Sequence, residues 1–144
     1  MTAMAGYSGT PLAKKLGIKP GHRVALVGAP QGFAAELEPL PEDVLILARP
    51  RARVDVIVLF TPSMRLLQQK FQRCVDLMKA DSGLWIGWPK KSSGVSTDLK
   101  FDRVQGHGLA AGLVDNKICA LDQTWSGLRF VVRLADRAQW YCDN

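Results

Sequence analysis

Hydrophobic positions along the chain follow two rhythms. Short continuous apolar runs, R-V-A-L-V-G (Arg23 to Gly28), V-D-V-I-V-L-F (Val54 to Phe60) and Leu84 to Trp88, read as strands buried on both faces. D-V-L-I-L-A (Asp43 to Ala48) is a further strand candidate. Asp115 to Asp122 and Leu128 to Leu134 form a strand pair joined by a hairpin turn, Gln123 to Gly127. Between the strands the pattern shifts to steps of three and four. The strongest helix runs from the Thr61-Pro62-Ser63 cap to about Lys79, with Met64, Leu67, Phe71, Cys74, Val75 and Met78 on one apolar stripe. Cys74 is on that stripe and reads as core. Thr10-Pro11 opens a short helix with Lys14-Lys15 at its negative end and Gly17 closing it, and a third helix covers Phe33 to Leu37 before Pro39. A fourth, from Thr97-Asp98 to Ala111 with Gly112 closing it, is weakened by Gly106 and Gly108, each costing about 1 kcal/mol relative to Ala. Lys19-Pro20-Gly21 and Asp81-Ser82-Gly83 read as turns, and the tail, residues 135–144, has no period.

Strands alternating with helices predict a layered α/β fold, a mostly parallel sheet with right-handed crossovers that ends in an antiparallel hairpin. One α/β domain is expected over residues 1–144, with 1–22 as a helical lead-in. One connection resists this. Only Arg49 to Arg53 separates the second strand from the third, too few residues for an ordinary parallel crossover. The second strand is therefore either a short edge piece or antiparallel.

Composition narrows the class. The chain is 47% hydrophobic and 22% charged, as in ordinary globular proteins. The longest apolar run, Val56 to Phe60, is far short of the roughly 20 residues of a membrane span. The N-terminus has no charged and apolar leader pattern. Cys74, Cys119 and Cys142 show neither framework nor metal-ligand spacing, which points to a reducing cytoplasm and no metal. A net charge of +6 admits nucleic acid as a partner, with Arg49, Arg51 and Arg53 contributing, although the cations are spread along the whole chain. His22 and His107 have no visible carboxylate or thiol partner, so no catalytic residue is assigned.

V-G-A-P-Q-G after the first strand, L-M-K-A-D-S-G, L-A-A-G-L-V-D and the terminal hairpin together resemble a class I S-adenosylmethionine-dependent methyltransferase that has lost its middle. The resemblance implies a three-layer Rossmann-like sheet. Gly28 and Gly32 match the family's glycine motif, but Leu26 stands where an acid is expected and Pro30 replaces the middle glycine and removes an N–H. Ala48 and Arg49 stand where the second strand would supply an acid to the ribose. Most of the chain is also similar to a family of small bacterial proteins of unknown function, through Y-S-G-T-P-L-A-K-K-L-G-I (Tyr7 to Ile18), W-P-K-K-S-S-G-V-S-T-D-L (Trp88 to Leu99) and T-W-S-G-L-R-F (Thr124 to Phe130), departing at Q-G-H-G-L. That second resemblance implies no activity.

In open α/β sheets ligands bind beyond the carboxyl ends of the strands. With a methyltransferase-like order, that edge gathers Gly28 to Gly32, Thr61 to Ser63, Pro89 to Ser96 and Thr124 to Gly127. Lys90 and Lys91 then supply positive charge, and Ser92, Ser93, Ser96 and Thr97 supply hydroxyls. Gly94 admits backbone N–H groups, the following helix N-terminus favours an anion, and Trp125 with Ser126 covers the ligand. No Walker A order is present. The leading expectation is a non-catalytic or vestigial binding module for an anionic or phosphate-bearing small molecule, its cofactor left open. The alternatives are a reduced methyltransferase-like enzyme using Gly28 to Gly32, and a nucleic-acid or protein interaction module. The bland reading is that the lysines are solvated, the serines cap and the tryptophans pack the core.

Overall fold

The computed structural model describes residues 10–140. Tyr7 to Gly9 of the first segment, the N-terminal stretch read for a leader, and residues 141–144 with Cys142 lie outside the described residues. The elements are α1 (Leu12–Lys15), β1 (Arg23–Val27), α2 (Phe33–Glu36), β2 (Leu45–Leu47), β3 (Val54–Phe60), α3 (Met64–Asp76), β4 (Met78–Pro89), α4 (Phe101–Ala110), β5 (Leu113–Ala120) and β6 (Trp125–Val132). Single 3-10 segments follow β4 (Lys91–Ser93) and β6 (Leu134–Gln139). The strands form one six-stranded sheet in the order β2-β1-β3-β4-β6-β5. β1, β2, β3 and β4 pair in parallel, and β6 runs antiparallel to both its neighbours, β4 and β5.

The apolar runs explain the layers. β3 is buried at every position except the half-buried Asp55, because helices cover both faces of the sheet. On one face α3 and α4 pack Leu67, Phe71, Cys74 and Val104 against Ile57, Leu59, Ile86 and Phe130. On the other, α1 and α2 pack Leu16, Phe33 and Leu37 against Val56, Val58, Phe60 and Trp85. Cys74 is fully buried, as its place on the stripe predicts.

β2 resolves the short connection. It is a three-residue edge strand, parallel to β1. Leu47 is level with Ala25, and Val56 is level with Val24. Val54 therefore lies about 14 Å away diagonally, at ~4.8 Å between strands and ~3.3 Å per residue. Six extended residues, 48–53, cover that distance without a helix.

Other boundaries move. α3 stops at Asp76 rather than Lys79, because Val54 N–H donates to Leu77 O (2.8 Å) and Met78 is already opposite Val54 in the sheet. β4 begins six residues before the expected Leu84, and Asp81-Ser82-Gly83 is a bulge within it rather than a turn. From Val54↔Met78 to Val56↔Gly83, β3 advances two residues and β4 five, so three residues are extra. The buried Ser82 hydroxyl fills the bulge, accepting from Lys79 N–H (2.8 Å) and donating to Val54 O (2.5 Å). In the hairpin, β5 starts at Leu113 rather than Asp115 and β6 at Trp125 rather than Leu128, so Trp125, Ser126 and Gly127 are strand residues. α1 begins at Leu12 with Pro11 at the N-cap position, one residue later than expected, and Gly17 closes it at φ +83°.

α4 forms despite its glycines, but from Phe101 rather than Thr97. Gly108 is buried, and a Cβ there would overlap the Phe130 ring, so the helix approaches the sheet only because the side chain is missing. Gly106 faces open space. Gly108→Ala should therefore destabilise the protein by about 1–3 kcal/mol through overpacking. Gly106→Ala should stabilise it by about 0.5–1 kcal/mol. Urea unfolding of both variants checks this, and equal effects of the same sign would contradict the packing account.

Candidate functional site

β1, β3 and β4 end at one edge of the sheet, and β6 begins there. Three backbone links tie the loops beyond them into a rim. Thr61 N–H donates to Gly87 O (2.9 Å), Lys90 N–H donates to Thr124 O (2.7 Å), and Leu121 N–H donates to Trp125 O (2.8 Å). Gly28, at φ +70°, ends β1 so close to β3 that a Cβ would stand 3.0 Å from Phe60 O. Gly32, at φ +87°, turns into α2 with open space around it. Behind the rim a chain of edge-to-face rings, Phe33–Phe60 (4.8 Å) and Phe60–Trp125 (5.2 Å), joins α2, β3 and β6. Gly28, Gly32, Thr61, Lys90 and Trp125 thus share one edge. Ser126 is half-buried in β6, paired with Trp88.

Much of the hydrogen-bonding capacity there is already committed. Thr61 is buried and its hydroxyl donates to Ser63 O (2.8 Å). Ser63 caps α3, accepting from Leu66 N–H (3.2 Å). Ser93 donates to Lys90 O (2.6 Å) and accepts from Val95 N–H (3.1 Å), closing the turn that Gly94 completes at φ +78°. Thr97 accepts from Leu99 N–H (3.0 Å). Ser92, Ser96 and Lys91 are exposed and Lys90 is half-buried. α4 starts only at Phe101, with Lys100 at its N-cap position, so its N-terminus is seven residues from the 3-10 turn rather than continuous with the serine loop.

Two carboxylates join this edge without having been singled out in the sequence. Asp122 Oδ1 accepts from both Thr124 and Trp125 N–H (2.8 Å each), shaping the hairpin. Glu36, at the end of α2, has its carboxyl pushed up by partial burial and by the nearby charge of Asp122. Because they are far apart in sequence, no local spacing signals the pair.

The remaining reactive groups are elsewhere. His22 Nδ1 accepts from Lys19 N–H (3.1 Å). His107 packs edge-on against Phe71 (4.7 Å), and burial lowers its pKa. It lines a surface cavity of about 290 Å³ between α3 and α4 with Gln68, Phe71, Gln72, Ala110 and Ala111. Burial pushes the Cys74 thiol up to about 12 despite Lys70 and Arg73, so it is not a nucleophile in the folded state. Among the described residues no group of His, Cys, Asp and Glu is arranged to hold a metal ion, and no helix is long and apolar enough to cross a membrane.

No family model and no curated protein matches the chain. Solved structures do. The ribosomal protein L11 methylase of Lactobacillus delbrueckii subsp. bulgaricus aligns with a TM-score of 0.60 at 13% identity, over 85% of this chain and 75% of its own. A SAM-dependent methyltransferase from Aquifex aeolicus aligns with a TM-score of 0.59 at 15% identity, over 85% of this chain and 88% of its own. DhpI, solved in complex with SAH, aligns with a TM-score of 0.60 at 8% identity, over 86% and 83%. The fold is that of the Rossmann-like methyltransferases. That fold implies S-adenosylmethionine at the carboxyl edge, and the donors here match it only in part. Gly28 permits close backbone approach. β2, however, ends in Leu47 and runs into Ala48 and Arg49, with no carboxylate for ribose hydroxyls, and Pro30 withholds an N–H. The donor set does not fit the cofactor as the fold ordinarily holds it, and no transfer step follows from these residues.

Ser93 and the lysines should separate cleanly. Ser93→Ala should cost about 1 kcal/mol, from the hydrogen bonds that shape the turn. Lys90→Ala and Lys91→Ala should each stay within roughly 0.5 kcal/mol of the parent. Chemical denaturation of the three variants measures this, and a neutral Ser93→Ala would show that its hydroxyl is not a structural strut.

Proposed function

We propose that the chain is a small-molecule-binding protein on a reduced methyltransferase scaffold, its ligand held at the carboxyl edge over Gly28 to Gly32, Thr61 and Trp125, with Ser126 beside them. One observation supports this above the others: the strand order β2-β1-β3-β4-β6-β5, with β6 reversed, which puts these loops on one rim. Gly28 at its backbone contact and Trp125 at the end of an aromatic chain suit a flat, nucleoside-like group better than a simple ion. Adenosyl compounds are the first ligands to test, as binding partners. With no ribose carboxylate after β2, methyl transfer is not part of the proposal.

A second reading, an anion or phosphate-bearing ligand at Lys90 to Thr97, draws support from Lys90 and Lys91, which have no carboxylate partner among the described residues and open the turn that the left-handed Gly94 closes. In it Ser92 contributes its hydroxyl, whereas Ser93 and Thr97 hold theirs in local hydrogen bonds to the backbone.

Amide shifts of the isotope-labelled protein, titrated with S-adenosylmethionine, S-adenosylhomocysteine, ATP and inorganic phosphate, separate the two. The proposal predicts saturable shifts at Gly28, Gly32, Thr61 and Trp125 with adenosyl compounds. A ligand at ~100 Kd should also add about 2.7 kcal/mol of stability. Shifts confined to Lys91 to Gly94 with ATP and phosphate would favour the second reading, and no shifts in either set of residues with any of the four would contradict both.

A further inference from the structure

Away from the rim, the arginine of T-W-S-G-L-R-F is in an unusual setting. Arg129 on β6 is directly opposite Trp85 on β4 and Lys117 on β5, so the three side chains share the face that α1 covers. α1 is fastened to this place by its own C-terminal carbonyls. Trp85 Nε1–H donates to Leu16 O (3.1 Å) and Lys117 Nζ donates to Lys15 O (2.9 Å). The guanidinium lies flat on Gly83, where a Cβ would stand 2.6 Å from Nε and 2.8 Å from Nη2, and near Gly17, where it would stand 3.9 Å from Nη2. Any side chain at Gly83 would displace it. Two of the sequence segments noted above, ending at Ile18 and at Phe130, thus meet around one cation.

That cation is poorly compensated. Its Nε is buried with no acceptor. Nη1 donates to Asn116 Oδ1 at 3.3 Å, a contact at the surface. Among the described residues no carboxylate pairs with Arg129, and its charged neighbours have the same sign: Lys117 across the ladder and Arg137 after β6. Burial, then Arg137, lowers the guanidinium pKa. A half-buried guanidinium normally receives a carboxylate or a full set of acceptors, because leaving the charge alone is costly. Here the register shift between Asp115 and Lys117 brings both Asn116 and Lys117 to the open end of the group, while Asp115 is held on the other face by Gln105 (3.2 Å).

We propose that Arg129, with Lys117 and Asn116 at its open end, is a binding site for an oxyanion, a phosphate or carboxylate group. The fork of the guanidinium meets two oxygens, the Lys117 ammonium adds charge, and the Asn116 amide adds a donor. The site is independent of the rim, four residues along β6 from Trp125, or ~13 Å at about 3.3 Å per residue.

Thermal melts at fixed ionic strength, with chloride exchanged for phosphate or acetate, test it. Phosphate should raise the melting temperature of the parent by roughly 5 °C at saturation. The rise should persist in the Lys90→Ala/Lys91→Ala double variant and vanish in Arg129→Met. A response to phosphate alone assigns a phosphate, and an equal response to acetate assigns oxyanions generally. A rise that survives Arg129→Met, or no rise in the parent, overturns the proposal. If Arg129→Met does not fold, the Arg129 Nε–H resonance of the parent decides. It should move saturably with phosphate at constant ionic strength, and a signal that stays still overturns the site.

Discussion

One side chain holds the carboxyl edge together. Leu121, in the hairpin between β5 and β6, is seated on the glycine pair Gly87 and Gly127, which are directly opposite each other on β4 and β6. A Cβ at either glycine would come within 2.8 Å of the leucine methyls. The seat exists only because both side chains are absent. Filling it buries Leu121 beside Trp85 and draws the hairpin down onto the sheet. Since β6 is reversed between two strands that run with the rest of the sheet, its start, and with it Trp125, is fixed by this contact rather than by a crossover helix.

From that seat the rim follows. With Leu121 down, its N–H reaches Trp125 O, Asp122 receives the Thr124 and Trp125 amides, and Thr124 O is placed for Lys90 N–H. Trp125 then meets Phe60, whose carbonyl faces Gly28. The geometry is one of backbone links and packed rings, with the Thr61, Ser63, Ser93 and Thr97 hydroxyls already engaged. Such an edge is preformed, which would lower the entropic cost of the binding proposed for it. It also explains why the fold can be that of a methyltransferase while the residues that would hold that cofactor are different.

The sequence revealed the features whose causes are local. β1 and β3 were legible because a strand covered on both faces is apolar throughout, and α3 because Ser63 caps a stripe that repeats every three or four residues. Features decided by distant residues were not. Gly108 looks like a helix breaker until Phe130 is placed against it. Met78 continues the α3 stripe but is claimed by pairing with Val54. At the candidate site, the rim residues were legible because strand ends follow from strand order. The commitment of the Ser93 and Thr97 hydroxyls, the approach of Glu36 to Asp122 and the bare guanidinium of Arg129 were not, since each depends on contacts that spacing does not encode.

The central claim is that the rim is a rigid, preformed part of the sheet. Amide hydrogen exchange at Thr61, Lys90 and Leu121, whose N–H groups make the three cross-links, tests it most directly. The account predicts that all three exchange as slowly as the amides of β3 in the parent, and that Leu121→Ala releases them while β3 stays protected. Rapid, loop-like exchange of these amides in the parent, alongside a protected β3, would contradict it.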